Sequence, residues 1–387
     1  MFKRDALTRA CYLPIASWAY FLYCLGALLP HLRAEQGTTF TLVGLHGTFV
    51  AVGGLVAGIA ATFIVRRMRR RGAMAAACAL VATGCLALTL VRPLPATLTV
   101  ALLIGLGGST IVQVVAPALG EHHPGHGASA LSEGNALASL LGLTAPLLVG
   151  AGVALGLTWR PAMLLPVALM ALSAFLVLRV PPDPALDGVP GDASAARGPH
   201  RPLPRPFWAL ALVLMCCVAV EFCMTTWSAD LLRERTTLSA AAASAGVSAV
   251  VGGMAVGRAV IGRLALRIPA PVLLLGAIVT ALAGWAVTWS MTSTWGAIAG
   301  LVLTGLGIAG QYPLGVSLVL RATPGQEDQA SGMLSAGVSI AIGAAPFTMG
   351  ALADAFSTHT AFLVVPGLLL AALAISLISR RAAVRTR

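Results

Sequence analysis

The stretch AVGGLVAG at residues 51–58 returns in altered form as VVGGMAVG at residues 250–257. In the same order along the chain, IGLG at 104–107 is matched by TGLG at 304–307. Each single match is weak in a chain so rich in Ala, Gly and Leu, but a shared order of matches is hard to obtain by chance. The sequence therefore predicts a duplicated unit, with two parallel copies offset by about 200 residues.

The composition around these repeats is that of an integral membrane protein. Of the 387 residues, 58% are hydrophobic and only 10% are charged, and the mean hydropathy is +0.90. A soluble domain averages about a quarter charged residues. The net charge of +12 would suggest nucleic acid in a soluble protein. Here the Arg residues cluster between apolar runs, as they do in membrane proteins, so no nucleic-acid partner is expected.

Apolar runs long enough to cross a bilayer recur along the whole chain. A hydrocarbon core of about 30 Å needs roughly 20 residues of helix. The sequence therefore predicts an all-α membrane protein with twelve spans near 10–30, 40–65, 73–91, 97–119, 128–153, 160–180, 207–229, 239–264, 271–290, 295–320, 328–352 and 360–379.

The distribution of Lys and Arg predicts the orientation of the spans. If both termini are cytoplasmic, 20 of these residues lie inside and five lie outside. This asymmetry favours a multi-pass protein of the cell membrane with both termini in the cytoplasm. The composition, rich in Ala, Arg, Gly and Pro, suggests a bacterial inner membrane.

Residues 180–206 form the only long polar stretch, VPPDPALDGVPGDASAARGPHRPLPRP. Because it is rich in Pro and Gly and lacks an apolar period, it is typical of a flexible linker. We therefore predict a six-helix bundle at 1–180, a cytoplasmic linker at 181–206 and a second six-helix bundle at 207–387.

Twelve spans, a duplicated six-helix unit and a central linker together resemble the major facilitator superfamily, and the resemblance covers nearly the whole chain. That family carries a signature of the form G-x-x-x-D-[RK]-x-G-[RK]-[RK] after its second and eighth spans. The stretches GIAATFIVRRMRRRG at 58–72 and GRAVIGRLALRI at 257–268 are similar to it. Thr62 and Leu266 stand where the family often has Asp.

The resemblance implies that these two stretches form a cytoplasmic gate that holds the outward-facing state. The alternative for the Arg cluster is a plain positive-inside anchor. The gate residues that the resemblance implies are Gly58, Arg66, Arg67, Gly257, Gly262, Arg263 and Arg267.

Apart from Asp328, which begins a span and is counted with the inner loops, only two acids lie within the predicted spans, Glu221 and Glu133. An ionisable group in hydrocarbon is costly and usually faces a cavity, and burial raises the pKa of a carboxyl group into the range of a proton carrier. In the family, the seventh span lines the central cavity. We therefore predict that Glu221, with Glu133, couples transport to protons. The alternatives are a structural hydrogen bond for Glu221 and an interfacial position for Glu133.

Further polar and aromatic side chains are candidates for lining a substrate cavity. Gln113 and Gln311 occupy matching places in spans 4 and 10. The alternatives are interhelical hydrogen bonding for the amides and simple packing for the aromatic rings. The full set of predicted cavity residues is Gln113, Gln311, Asn135, Trp18, Tyr20, Tyr23, Trp227 and Tyr312.

No metal or cofactor is expected. The loop EHHPGHG at 121–127 brings together His122, His123 and His126, which could coordinate a metal, but a short loop with Pro and Gly favours a solvated turn. All seven Cys lie in apolar runs and are expected to pack as small core side chains. Because no Walker A, HExxH or GxSxG motif occurs, an enzyme is not expected.

We therefore expect a monomeric secondary active transporter that works by alternating access, with protons, a small molecule and the lipid bilayer as its partners. Because no basic residue lies near the middle of a predicted span, a neutral, amphiphilic or cationic substrate is favoured over an anion. Proton-coupled export is the first hypothesis, and proton-coupled uptake of a neutral solute such as a sugar is the second. A non-transporting membrane sensor or scaffold on the same fold is the alternative of another class.

Overall fold

The computed structural model describes residues 3–188, 202–324 and 326–385. Within these residues, twelve helices are long and apolar enough to cross a membrane. The described residues contain no β-strand. The prediction of an all-α protein with twelve spans is therefore confirmed.

The first six helices occupy the part of the chain before residue 180. They are α1 (Ala6–Gln36), α2 and α3 (together Phe40–Leu90), α4 (Leu94–His122), α5 (Gly127–Ala154) and α6 (Arg160–Arg179), followed by a short helix at Pro184–Asp187. The last six are α7 (Arg205–Arg235), α8 (Ala240–Leu264), α9 (Ala270–Ser290), α10 (Thr294–Arg321), α11 (Glu327–Ala355) and α12 (Thr358–Ser379).

The chain divides into two compact units. The first comprises Met1–Thr38 and Leu45–Gly198, and the second comprises Thr39–Gly44 and Pro199–Arg387. Helix α2 thus begins with the second unit and passes into the first at Leu45. The predicted domain limits at 180 and 206 stay predictions, because residues 189–201 of the proposed linker lie outside the described residues.

Several helices extend beyond the apolar runs because their ends are capped. Helix α1 was expected over 10–30 but covers 31 residues. At its start, the Asp5 side chain accepts a hydrogen bond from the backbone N–H of Thr8 at 3.0 Å. At its end, Gly37 adopts φ 59°, and its N–H donates to the carbonyl of Arg33. These polar caps lie outside the hydropathy signal, so the apolar run is shorter than the helix.

The expected loop between the second and third spans is almost absent. Residues Phe40–Leu90 are helical except at Arg69, where φ is 57° and ψ is 169°. We call the parts before and after this residue α2 and α3. The Arg-rich segment therefore continues the helix on both sides of a single break, and the prediction of a loop there was wrong.

The two units pack their helices around different apolar cores. In the first unit, α1 packs extensively on α5. In the second unit, α7 packs on α11 and α12, while α10 packs on α8 and α9. The α7 core includes the buried side chains of Phe207, Leu214, Val218, Val319 and Leu334. Such burial fixes the rotation of α7, and hence the direction of its polar side chains.

Glycines allow one close helix contact to occur in both units. A Cβ built on Gly105 would lie 2.1 Å from the carbonyl oxygen of Val50, and one on Gly305 would lie 2.1 Å from that of Val250. These residues are related by 200 positions. The duplicated sequence therefore encodes the same backbone contact twice, at an offset of 200 rather than the 199 that aligns residues 51–58 with 250–257.

We predict that Gly305→Ala destabilises the protein by about 1–3 kcal/mol, because the added methyl group overpacks the contact with Val250. The matched control is Gly276→Ala on α9, where a Cβ would have no atom within 4 Å. Thermal unfolding of the purified variants in detergent checks this. Equal melting temperatures for the two variants would contradict the prediction.

Candidate functional site

Helix α7 places Glu221 on the side that faces α10. Leu214 packs against Gly315 of α10, where a Cβ would lie 2.7 Å from the leucine side chain. Glu221 lies seven residues after Leu214 and therefore on nearly the same helical face. Its side chain is half-buried, and its backbone carbonyl accepts a hydrogen bond from Thr225 at 2.9 Å. An acid in the apolar part of α7 is thus directed towards a neighbouring helix.

Helix α10 is interrupted beside this acid. It runs from Thr294 to Ile308 and resumes at Gln311, with Ala309 and Gly310 between the two parts. Tyr312, in the first turn after the interruption, is 48% exposed and interacts electrostatically with Glu221. Ala309 and Gly310 keep right-handed helical angles, so the interruption affects the hydrogen bonding rather than the direction of the helix. Interrupted hydrogen bonding in a membrane helix can leave backbone polar groups to line a cavity. Glu221, Tyr312 and the break therefore form the candidate site.

The matched glutamines of α4 and α10 differ in their surroundings. Gln311 is 1% exposed, and its Nε2 donates to the carbonyl of Ala277 on α9 at 3.5 Å. Within the described residues, its Oε1 has no hydrogen-bond partner. Gln113 is only half-buried. The burial of Gln311 favours interhelical hydrogen bonding, the alternative to cavity lining.

An apolar cavity of about 330 Å³ lies on another side of α7, towards α11. Met215 packs there against Gly337, where a Cβ would lie 2.9 Å from the Met215 sulfur. The lining residues are Phe207, Trp208, Ala211, Leu212, Met215, Met333, Leu334 and Gly337. Because the lining is hydrophobic and aromatic, the cavity fits an apolar group rather than a strongly hydrated ion.

The aromatic side chains predicted to line the cavity are mostly packed inside the units. Trp18 stacks on Phe21 with ring centroids 5.6 Å apart. Tyr20 is fully buried and donates its hydroxyl to the carbonyl of Ala162 at 2.8 Å. Tyr23 is half-buried, and its ring packs against Gly142, where a Cβ would lie 2.5 Å from it. This burial favours the packing alternative for Trp18 and Tyr20.

Glu133 forms an ion pair instead of an isolated charge. Its Oε1 lies 2.5 Å from Nε of Arg4, and both side chains are substantially exposed. Asn135 is also exposed. The arrangement favours the interfacial alternative for Glu133, so Glu221 is the stronger candidate for proton coupling.

The Arg-rich segment makes its contacts through residues that were not selected from the sequence. Arg71 binds both carboxylate oxygens of Asp187, at 2.7 and 2.6 Å. It also donates to the carbonyls of Val177 and Val180 at the end of α6, at 2.8 and 2.7 Å. Arg66 and Arg67 are exposed. The contacts of this cluster with helix C-terminal carbonyls are therefore made by Arg71, whereas the resemblance had selected Arg66 and Arg67.

The same contacts order the beginning of the expected flexible linker. The Asp183 side chain accepts a hydrogen bond from the N–H of Ala185 at 2.8 Å and caps the short helix there. Arg70 binds Glu121, at 2.5 and 2.6 Å, and the carbonyl of Ala185, at 2.9 Å. Residues 181–188 are therefore held against α3 and α4, and the prediction of flexibility was wrong for this part.

The second copy of the signature makes fewer such contacts. A Cβ on Gly257 would lie 2.6 Å from the side chain of Ala309, so this glycine permits close packing of α8 on α10. Gly262, Arg263 and Arg267 are exposed, as is Gly58 in the first copy. A Cβ on Gly58 or Gly262 would have no atom within 4 Å, so close packing does not require these two glycines. The role of these residues as a gate stays a prediction.

The histidine loop after α4 is not the solvated turn that was expected. His122 Nε2 lies 2.6 Å from Asp5 Oδ2, and His122 Nδ1 lies 3.0 Å from Asp183 Oδ2. His123 is buried, with its Nε2 2.8 Å from the hydroxyl of Thr8. Only His126 is exposed. We call Asp5, Thr8, His122, His123 and Asp183 the histidine cluster.

Two members of the histidine cluster have shifted pKa values. Burial opposes the ionisation of Asp5, but hydrogen bonds from Thr8 and His122 outweigh it and lower the pKa of Asp5 to about 2. Burial, together with the neighbouring His122 charge, lowers the pKa of His123. At neutral pH, Asp5 is therefore a carboxylate and His123 a neutral imidazole.

Asp354, at the end of α11, caps the beginning of α2 within the second unit. Its carboxylate accepts hydrogen bonds from the N–H of Phe40 at 2.8 Å and from the N–H and hydroxyl of Thr41 at 2.7 and 2.5 Å. Trp227 packs beside them, with its ring centroid 5.7 Å from that of Phe40, and donates Nε1–H to the carbonyl of Pro346 at 2.9 Å. Trp227 thus packs at this end of the unit.

Sequence reasoning did not select Asp354, Arg70, Arg71 or the buried acid Asp230, which is 5% exposed. Asp354 and Asp230 lie just beyond the predicted spans, at their outer ends. The signal that could have identified Asp230 is its position inside the apolar period of α7, nine residues after Glu221.

Twelve apolar helices and a duplicated glycine contact define a multi-pass membrane protein built from two related halves. The family sequence model described as Major Facilitator Superfamily matches residues 15–269 and 228–387 of the chain. The chain belongs to this superfamily. No curated protein matches it by sequence.

Solved structures of transporters share the fold across almost the entire chain. A bacterial homolog of the human lysosomal transporter Spinster, inward-facing and occupied, has a TM-score of 0.73 at 15% identity, covering 98% of each chain. The nucleoside transporter NupG has a TM-score of 0.72 at 13% identity, covering 96% of this chain and 97% of that chain. The xylose transporter XylE from E. coli has a TM-score of 0.75 at 12% identity, covering 95% and 97%.

We predict that Arg71→Ala destabilises the first unit by about 1–3 kcal/mol, because the α6 carbonyls lose this donor and Asp187 keeps only weaker partners such as the N–H of Asp183. Arg71→Lys should recover only part of this loss, since an ammonium cannot bind a carboxylate through two parallel hydrogen bonds. Arg67→Ala, at an exposed position of the same cluster, is the control. Thermal unfolding in detergent measures all three.

The contribution of this pair also has a defined pH dependence. The hydrogen bonds from Arg71 lower the pKa of Asp187 from 3.8 to about 2. Because the folded-state pKa is below the unfolded value, the stabilisation is present above pH 3.8 and is lost as the pH falls towards 2. Equal stability of Arg71→Ala and Arg67→Ala at neutral pH would show that the Arg71–Asp187 pair does not stabilise the protein.

We predict that Asp354→Ala destabilises the second unit by about 1–2 kcal/mol, because the first N–H groups of α2 lose their acceptor. Asp354→Asn keeps one acceptor oxygen and should lie between the wild-type protein and the alanine variant. Melting temperatures in detergent check the order. If Asp354→Ala and the wild-type protein have the same melting temperature, packing of Phe40 on Trp227 stabilises the start of α2 instead of the cap.

Proposed function

We propose that this transporter exports a small neutral, amphiphilic or cationic compound in exchange for protons, by alternating access of its two halves. The observation that carries the proposal is Glu221, a half-buried acid in the apolar part of α7, beside Tyr312 and the interruption of α10. A carboxyl group in such surroundings can bind and release a proton during a transport cycle. Membership of the superfamily supports the transport step itself.

The apolar cavity towards α11 supports the proposed substrate class. Its lining offers aromatic and aliphatic side chains, including Trp208 and Met215, to a hydrophobic group. Glu221, on another side of α7, could attract a cationic group of the substrate. NupG and XylE carry a nucleoside and xylose, so proton-coupled uptake of a neutral solute remains the second candidate and shares the same fold.

We further propose a bacterial inner membrane as the location, with both termini in the cytoplasm. The support is the distribution of 20 Lys and Arg residues on one side and five on the other along the predicted spans. A monomer is proposed because each unit has its own apolar core. Cysteine labelling from either side of oriented vesicles tests the orientation.

The decisive experiment is transport in proteoliposomes with and without an imposed pH gradient. The panel should contain lipophilic cations, neutral sugars and nucleosides, and organic anions. We predict that Glu221→Gln reduces gradient-driven flux to the level of protein-free liposomes, because an amide cannot carry the proton. Counterflow of substrate without a gradient should persist, since it needs no net proton movement.

Glu234→Gln is the matched control, because it makes the same change at an exposed position of α7. Retention of gradient-driven flux by Glu221→Gln would exclude Glu221 as the carrier. Loss of coupling in Asp230→Asn instead would assign the role to the other buried acid of α7. If the flux of every compound is the same with and without the pH gradient, proton coupling is refuted. If no compound shows any flux, the result favours a sensor or scaffold.

A further inference from the structure

The histidine cluster brings three separate parts of the first unit together. Asp5 precedes α1, His122 and His123 end α4, and Asp183 precedes the short helix after α6. One ligand atom from each of Asp5, His122 and His123 lies within 4.8 Å of the others. Side chains from distant parts of the sequence thus converge on a single small volume.

We propose that the histidine cluster is a binding site for a divalent transition-metal ion such as Zn²⁺. Its ligands are Oδ2 of Asp5, Nε2 of His122 and Nε2 of His123. Two imidazoles and one carboxylate with an open fourth position form a ligand set that suits Zn²⁺ and disfavours Mg²⁺ and Ca²⁺. The cluster belongs to the first unit and Glu221 to the second, and the metal site does not depend on the proposed transport mechanism.

The second ring nitrogen of His122 supports the assignment. Metal-binding histidines commonly donate their other N–H to a carboxylate, which fixes the orientation of the ring. His122 Nδ1 lies 3.0 Å from Asp183 Oδ2, while its Nε2 faces Asp5. Asp183 is itself held by the helix that it caps. The ring is therefore oriented with its Nε2 towards the proposed ion.

To bind an ion, the three ligand atoms, which now lie within 4.8 Å of one another, must come to about 3 Å apart. Zn²⁺ at about 2.0–2.2 Å from each ligand requires Asp5 Oδ2 and His122 Nε2 to separate to about 3 Å, from the 2.6 Å that now joins them. The ion takes the place of the proton between these two atoms, and that proton passes to solvent. The hydroxyl of Thr8, now 2.8 Å from His123 Nε2, turns away. His126 is exposed and takes no part.

The test uses the purified full-length protein in detergent, stripped with a chelator and without an affinity tag of histidines. Titration with Zn²⁺ against a chromophoric chelator should show one tight site per chain. Asp5→Asn, His123→Gln and Asp183→Asn should each weaken binding by about tenfold or more. Asparagine still caps a helix, so Asp5→Asn removes the charge while preserving the start of α1.

His126→Gln is the matched control and should bind Zn²⁺ as the wild-type protein does. Zinc-edge X-ray absorption should show nitrogen and oxygen ligands at about 2.0–2.1 Å. Absence of a stoichiometric site in the wild-type protein would overturn the proposal and leave the cluster as a hydrogen-bonded contact. Equal weakening by His126→Gln would assign the metal to the exposed loop, and sulfur at about 2.3 Å would assign it to a cysteine. Either result would also overturn the proposal.

Discussion

The structure depends on one constraint: every backbone N–H and C=O inside an apolar phase must find its partner within the protein. Helices meet this constraint along their length but leave four groups open at each end. In this chain, side chains from other helices form hydrogen bonds with the open backbone groups at several helix ends. Asp354 accepts from the start of α2, and Arg71 donates to the end of α6. Few charged residues are present, and several of them perform this task.

The same constraint explains where the polar interactions concentrate. Charged side chains that cap helix ends must lie near those ends, so they collect in clusters away from the apolar middle of each helix. The histidine cluster, the Arg71–Asp187 pair and the Asp354 cap are three such clusters. Glu221 differs from all of them because it lies within the apolar part of α7. Its position is not explained by capping, which is why a functional role is proposed for it.

The sequence predicted the twelve helices well because hydropathy accumulates over about 20 residues. It predicted the surroundings of single side chains less well, and a backbone break explains one case. The break at Arg69 alters the direction of the residues that follow, so Arg70 and Arg71 make the contacts of the cluster, whereas the resemblance had selected Arg66 and Arg67. A single non-helical residue leaves no trace in an apolar pattern.

The duplication separates what maintains the fold from what is specific to each half. The glycine contacts of Gly105 and Gly305 recur at an offset of 200, because both halves need the same backbone approach. The glutamines and the Arg-rich signature recur, but the acids and histidines of the candidate sites do not. Phe21 stands 200 residues before Glu221 and is fully buried, while Arg205 and Ala322 stand 200 residues after Asp5 and His122. Packing requirements account for the shared residues, so the unshared polar residues are where the chemistry of this transporter is expected to lie.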